Sequence, residues 1–316
     1  MKKSYLFLVF VSLALCACEN PWMAEVLEEK IVTFNSNGGS PVPDQVLFKG
    51  ERVKRPTDPT KYGFRFAGWY TDNVTFMFPY NFDFVPLEDM TLHAKWIENI
   101  FQSVDDLREF LNTPLLTTVA DPCVVKLNIN NSDMLALKQL LFDLVIEGKY
   151  VFLDLSGSVI TTIPSNAFRV IDASNNSSYP CNSLVGIIIP DSVQSIEGGH
   201  EMGAFQGCEN LTSVTIGSGV ISIGDYAFHA CNSLTNVTIP DSVNSIGRAA
   251  FDCINLTSVT FKGNIPSNGF ANDSYFPVFL GDLRDKYYTG NPPVGTPGTY
   301  IATQMVSGDI TWTKQP

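Results

Sequence analysis

Cysteines, histidines and paired acids are the residues of this chain best able to carry a reaction or hold a metal, and their spacing argues against most such chemistry. Four of the seven cysteines, Cys181, Cys208, Cys231 and Cys253, recur at one place in a repeating pattern, each three residues before a leucine (Leu184, Leu211, Leu234, Leu256). A zinc site needs ligands that converge on one point, as paired C-x-x-C spacings do; ligands dealt out one per repeat do not converge. Such a column serves as buried thiols, because free cysteine behaves as a small hydrophobe, or as disulfides in an oxidising compartment. The three histidines, His93, His200 and His229, share no ligand spacing. There is no G-x-S-x-G, no H-E-x-x-H and no phosphate-cradling glycine loop. Asp105 and Asp106 fit the start of a helix, where acids suit the dipole, better than a catalytic pair. These residue types point to no enzyme, no metal and no cofactor.

The balance of charge narrows the partners. Only 16% of the 316 residues are charged and the net charge is −12, which argues against nucleic acid, since that requires a basic footprint. With 45% apolar residues the chain can bury substantial cores, and its length allows two or three domains.

The cysteine column belongs to a repeat. Read in register, the segments from Leu184, Leu211, Leu234 and Leu256 align Ile187, Val214, Val237 and Val259, then Ile189, Ile216, Ile239 and Phe261. Downstream, Ile196, Ile223 and Ile246 align, as do Ala204-Phe205, Ala227-Phe228 and Ala250-Phe251; the last two steps of the Phe column are 23 residues each. A fixed period in the twenties with L-x-x-V-x-I spacing predicts a solenoid, in which each unit buries its apolar faces only by stacking on a neighbour. Its strands pair in parallel. Thr212, Ser213 and Thr215, then Thr235, Asn236 and Thr238, then Thr257, Ser258 and Thr260 form exposed rows on the sheet. Those rows have two readings, soluble residues of good β-propensity or a ligand-binding surface.

The motif L-T-S/N-V-T-I-P/G-D/S-S/G-V-x-S-I-G-x-x-A-F-x-x-C-x-x-L resembles the BspA-like leucine-rich repeats of bacterial surface proteins. The repeat at Leu184 departs from it by an insertion around Gly199-His200-Glu201-Met202, expected to bulge as a loop. The resemblance implies adhesion: binding of host matrix proteins or other bacteria.

At the N-terminus, Met1-Lys2-Lys3-Ser4 precedes an apolar run from Tyr5 to Ala17, a signal-peptide length too short to span a bilayer. Leu15-Cys16-Ala17-Cys18 resembles a lipoprotein lipobox, which implies that Cys18 is acylated and anchors the chain in a membrane; an ordinary secretory peptide is the alternative. Residues 1–17 are thus read as signal and 18–30 as a tether.

Residues 31–97 read as a small β module. Ile31-Val32-Thr33-Phe34 alternates as a strand, Asn37-Gly38-Gly39 suits a tight turn, and Gln45 to Phe48, Phe64 to Tyr70 and Met90 to Trp96 supply further strands. VTFNSNGGSPVPDQ, PTDPTKYGFRFAGWYTD and DMTLHAKW resemble the Listeria-Bacteroides repeat, a β-grasp module of internalin-type surface proteins. Between the last two, Phe76, Phe78, Tyr80, Phe82 and Phe84 alternate as one aromatic row on an extended segment, for core packing or as an exposed patch.

Residues 100–149 read as the N-terminal cap of the array. Ser103 caps a helix over 104–111, residues 124–129 form a strand, and Ser132 or Asp133 caps a helix from Met134 to Ile146. Residues 150–265 hold about five coils, and 266–316, where the period fades, form a C-terminal capping hairpin with Trp312 against the last coil.

The expectation is an α+β chain: a β-grasp module followed by a short capped leucine-rich repeat solenoid with a parallel sheet. Its expected function is that of a lipid-anchored, non-enzymatic cell-envelope protein, facing outward, that binds proteins. Alternatives are a periplasm-facing scaffold and a carbohydrate-binding module built on the aromatic segment.

Overall fold

The computed structural model describes residues 29–113, 117–172, 177–199, 202–290, 292–304 and 310–316. The chain divides into two compact units, Met1–Glu98 and Asn99–Pro316. The signal, Cys18 and the tether up to residue 28 lie outside the described residues, as do His200 and Glu201 of the insertion. Among the described residues no helix is long and apolar enough to cross a membrane.

The first unit is a four-stranded sheet of β1 (Lys30–Asn35), β2 (Gln45–Leu47), β3 (Phe64–Tyr70) and β4 (Met90–Glu98), in the order β2-β1-β4-β3. β1 and β4 are parallel, and both outer pairs are antiparallel. The turn after β1 uses left-handed Asn37 and Gly38 (φ 47° and 81°), and Asn37 Nδ2 donates to the Ala94 carbonyl at 2.7 Å. Val32, Leu92, Ala94 and Trp69 are buried together, with Trp69 edge-on to Phe34 at 4.9 Å. The segment from β2 to β3, with Pro56 and Pro59, contains no helix.

The aromatic run at 76–84 does not form a single row. Asp72 gathers the loop: its carboxylate accepts from the Thr75 hydroxyl and from the backbone N–H of Val74, Thr75, Phe76 and Met77. The chain therefore turns rather than extends, with Phe76 in the left-handed region (φ 45°). Tyr80 and Phe82 pack against the core, Phe76 meets Tyr70 edge-on, and Phe78 and Phe84 are exposed.

The second unit opens with β5 (Ile100–Phe101), α1 (Val104–Leu111), β6 (Cys123–Leu127) and α2 (Met134–Ile146). Ser103 caps α1, accepting from Asp106 N at 3.1 Å. Asp133 holds the N-cap position of α2, one of the two the sequence predicts, but makes no side-chain cap bond there; instead Asn130 accepts from Ser132 N while Asp133 accepts from Asn130 N, a capping box on the 3-10 turn Asn131–Asp133 that precedes the helix. Leu137, Leu140, Leu141 and Leu144 are its buried face. Arg108 pairs with Asp143 at 2.5 Å, joining the two helices.

Then come β7 (Val151–Asp154), β8 (Thr162–Ile163), β9 (Arg169–Asp172), β10 (Ser177–Pro180), β11 (Leu184–Ile188), β12 (Ser195–Ile196), β13 (Ser213–Thr215), β14 (Ser222–Ile223), β15 (Asn236–Ile239), β16 (Ser245–Ile246) and β17 (Ser258–Phe261). β5, β6, β7, β11 and β13 make one parallel sheet, so residues 100–127 add strands to the front of the array as well as covering its end. On the back, β8, β12, β14 and β16 stack in register through Ile163, Ile196, Ile223 and Ile246. Between the two sheets the rings of Phe168, Phe205, Phe228, Phe251 and Phe279 form a continuous stack, with centroids 4.4 to 5.1 Å apart and planes within 12°.

That stack carries the array past residue 265, where the fading period places its end. Ile246 bridges Phe270 in parallel and Phe251 bridges Phe279, so a last partial coil continues both columns. The lengthening of the first coil is a hairpin, β9 with β10. The end is closed by α3 (Leu283–Tyr287), a small pair β18 (Tyr288–Thr289) and β19 (Val294–Gly295), and the hairpin β20 (Gly298–Gln304) with β21 (Ile310–Lys314). β20 pairs antiparallel with β17. Trp312 is buried, donating from Nε1 to the Leu280 carbonyl at 2.7 Å. The helix α3 has no counterpart in the sequence reading; it buries Tyr287, whose hydroxyl accepts from Ile265 N and donates to the Gly263 carbonyl.

Candidate binding face of the solenoid

In each front strand the central Val, Leu or Ile points toward the core and its two neighbours point away, the ordinary alternation of a half-buried strand. Register then fixes two outward rows. One runs Val124, Phe152, Gly186, Ser213; the other Lys126, Asp154, Ile188, Thr215. A second pair of strands carries Asn236 beside Ser258 and Thr238 beside Thr260. The front face thus extends toward the N-terminal cap beyond the hydroxyl-bearing coils. The signal was present in the alternation of Val124 to Leu127 and Val151 to Asp154, but those strands lack the threonines that mark the later coils.

The nine residues expected to form the face divide by their bonding. Thr212 and Thr257, directly after the strand leucines, donate to carbonyls of the preceding coil, Val185 O at 3.0 Å and Thr235 O at 3.1 Å, and so tie coil to coil. Thr235 accepts from Asn236 Nδ2 at 3.3 Å. Ser258 and Thr260 are only half-exposed because β20 lies alongside β17, and the Thr260 and Thr299 hydroxyls are 2.9 Å apart. Ser213, Thr215, Asn236 and Thr238 are exposed and form the open part of the face. β13 and β15 sit side by side without sharing a sheet, and Val214 between them is less buried than Ile187, Val237 or Val259.

Beneath this face the cysteine column is built into the coil. Cys208, Cys231 and Cys253 direct their Sγ atoms at the carbonyls of Phe168, Phe205 and Phe228, at 3.8, 3.1 and 3.0 Å, and all four thiols of the column are buried and free. Burial pushes the Cys181 thiol up to about 11 and holds Cys208 and Cys231 well above the ordinary thiol value. All four are core packing, and Cys181, Cys208 and Cys231 present no thiolate to react or ligate at neutral pH. On an outer turn, Asp225 accepts two bonds from the Arg248 guanidinium, at 2.9 and 3.1 Å, and one from Arg248 N. His229 Nε2 lies 3.6 Å from Asp252. Among the described residues no group of three or more His, Cys, Asp and Glu is placed to hold a metal. The outward surface offers hydroxyls, amides and scattered charge on a rigid backbone, suited to many shallow contacts.

The BspA type leucine-rich repeat region, in six copies, matches residues 161–275, and the Listeria-Bacteroides repeat domain matches residues 31–95. The chain carries a BspA-type leucine-rich repeat array behind a Listeria-Bacteroides repeat module. The BspA-type match runs past residue 265 and takes in Phe270, whose bridge to Ile246 continues the column. Among curated relatives, Internalin H of Listeria monocytogenes is 39% identical over 69 residues, 21% of this chain and 12% of that protein. A protein of Evansella cellulosilytica described as a Gly-rich membrane protein is 40% identical over 76 residues, 24% of this chain and 9% of that one. The chain thus spans about a tenth of the length of these relatives. The crystal structure of the T. pallidum leucine-rich repeat protein TpLRR is 28% identical, with 35% of this chain and 58% of that chain covered and a TM-score of 0.26.

Proposed function

We propose that this BspA-type chain is a non-enzymatic envelope protein, held to a membrane through lipid on Cys18, that binds a protein partner on the front face of its array. The partner class is host matrix protein or the surface of another bacterium. The observation that carries the reading is the open patch of Ser213, Thr215, Asn236 and Thr238 on a scaffold whose own hydrogen bonds are made within and between coils. Names of relatives, a membrane protein and an internalin, support an envelope setting. With only a few coils, a single contact is weak and display of many copies supplies avidity.

Protease treatment of intact cells tests the setting: loss of this protein with a periplasmic control preserved supports outward display, and survival until permeabilisation overturns it in favour of a periplasm-facing scaffold. Binding to immobilised matrix proteins or to neighbouring bacteria is then compared between wild type and Thr215→Arg/Thr238→Arg. These substitutions alter exposed side chains and leave the fold intact; unchanged binding by the variant would place the contact elsewhere. A carbohydrate-binding reading of the N-terminal module rests on exposed Phe78 and Phe84, and glycan binding that is lost in Phe78→Ser would favour it.

A further inference from the structure

The Listeria-Bacteroides module has a polarity set by its topology. β1 and β4 are parallel, with Val32 beside Met90 and Asn35 beside His93, so the chain comes into the sheet at the end holding Lys30 and Met90. It leaves at the opposite end, beyond Glu98. Around the incoming end the apolar surface is uncovered. Leu87 is 88% exposed, Val46 is 53% and Ile31 is 45%, with Phe48 and Val85 also open. Ile31 and Val46 are a cross-strand pair, and Phe48, Val85 and Leu87 line one shallow hollow with Lys30 and Lys49. Scattered exposed apolar residues need no explanation, but a contiguous group marks a contact surface.

The length of chain upstream identifies what lies against it. Eleven residues separate Cys18 from Lys30, a reach of at most about 40 Å when fully extended. A lipid on Cys18 therefore keeps the incoming end of the module within a tether's length of the bilayer. Charge permits close approach: residues 29–98 hold eight Lys and Arg against nine Asp and Glu, whereas residues 99–316 hold ten against twenty. The near-neutral unit is the one next to the tether.

We infer that the incoming end of the module, formed by Ile31, Val46, Phe48, Val85 and Leu87, seats on the headgroup–acyl boundary of the membrane that holds the lipid. The inference rests on the lipid-anchor reading of Cys18. The contact is apolar, with the depth and area of an interfacial side-chain cluster, and it needs no anionic lipid because the module has no basic excess. It makes the module a foot that fixes the outgoing end of β4 away from the bilayer.

The test uses the full lipid-bearing chain in phosphatidylcholine vesicles, with an environment-sensitive fluorophore on Leu87→Cys or, as a control, on Thr238→Cys. Leu87 is almost fully exposed, so the substitution does not disturb the fold. The expected result is that the Leu87 probe is quenched by nitroxide-bearing lipid and at least two-fold protected from aqueous iodide, with the reverse at Thr238. Ile31→Ser/Val46→Ser in the same background abolishes the protection. A Leu87 probe as open to iodide as the Thr238 probe, on protein that floats with the vesicles, overturns this inference alone. Protection from iodide without lipid quenching also overturns it, and indicates a second copy or another protein on the surface. Failure of the chain to float with vesicles overturns both this inference and the lipid-anchor reading.

Discussion

Replacing Phe228 by Ala removes the middle of the ring stack. Phe228 is fully buried, with Phe205 at 4.8 Å and Phe251 at 5.0 Å, both within 9° of parallel. Truncating a buried Phe to Ala costs about 3–5 kcal/mol, depending on how far the site collapses. Collapse is restricted here, because the coils on either side are held at fixed spacing by the back ladder through Ser222–Ser245 and Ile223–Ile246 and by Phe228 N donating to the Ala250 carbonyl. Two stacked pairs, each worth about 0.5–1.5 kcal/mol beyond buried area, are lost together. The cost therefore falls at the top of the range, about 5 kcal/mol. Urea unfolding followed by far-ultraviolet circular dichroism measures it; with a slope of about 2 kcal/mol per molar, the midpoint drops by about 2.5 M. Phe228→Leu keeps most of the volume and loses the stacking, and is expected to cost about 1–2 kcal/mol. Thr238→Ala, on the exposed face, stays within about 0.5 kcal/mol. If Phe228→Ala costs no more than about 1 kcal/mol, or if the Leu and Ala variants are equal, the column is not the spine of the array and the reasoning fails.

Other consequences follow from the same geometry. Because burial holds the Cys181 thiol neutral up to about 11 while an unfolded thiol ionises from about pH 8.5, the folded state loses stability as pH rises through the window between them. The thermal midpoint should fall across that interval and fall less in Cys181→Ala, with alkylation of the column negligible in native protein at pH 8 and complete in denaturant. Asp72 is held at about 2, mainly by the Thr75 hydroxyl with help from the N–H groups of Phe76, Thr75 and Val74, so the loop keeps its form down through the usual carboxylate range and loses it only as pH falls through about 2. Amide chemical shifts of Thr75 and Phe76 report this, and Asp72→Ala should show the released shifts already at pH 7. Gly203→Ala would place a Cβ 1.7 Å from the Tyr226 carbonyl oxygen and is expected to cost about 3 kcal/mol; Gly199→Ala, which meets nothing within 4 Å, should change the melting point little.

The array was legible because its physics is periodic. A coil that buries Leu, Val, Ile, Ala and Phe only against the next coil must repeat those types at fixed spacing, and the columns lie in one core: Leu211 and Leu234 are both buried, Ile223 pairs with Ile246, and Phe228 stacks on Phe251. The cysteine column was legible as a column for the same reason, while the choice between buried thiols and disulfides came only from the structure, which holds the four thiols free. The module's strands were visible through alternation and the Asn37-Gly38 turn. Where the period lapses, reading lapsed with it: Phe279 stands 28 residues after Phe251, so the last coil was invisible to a 23-residue rule although its ring completes the stack.

The sequence by itself determined which residues share a column and that the columns are core. The tertiary structure decided what is left uncovered. Thr212 and Thr257 are the same residue type as Thr215 and Thr238, yet the first two spend their hydroxyls on neighbouring coils and the others remain open. Ser258 and Thr260 are half covered because a distant strand, Gly298–Gln304, pairs with theirs. The alternate aromatics of 76–84 turn out of line because a single carboxylate, Asp72, bends the backbone beneath them. Local spacing specifies the period of a strand or coil, whereas exposure depends on which remote segment closes the edge, and that is set by packing across tens of residues rather than by the residues on the face itself.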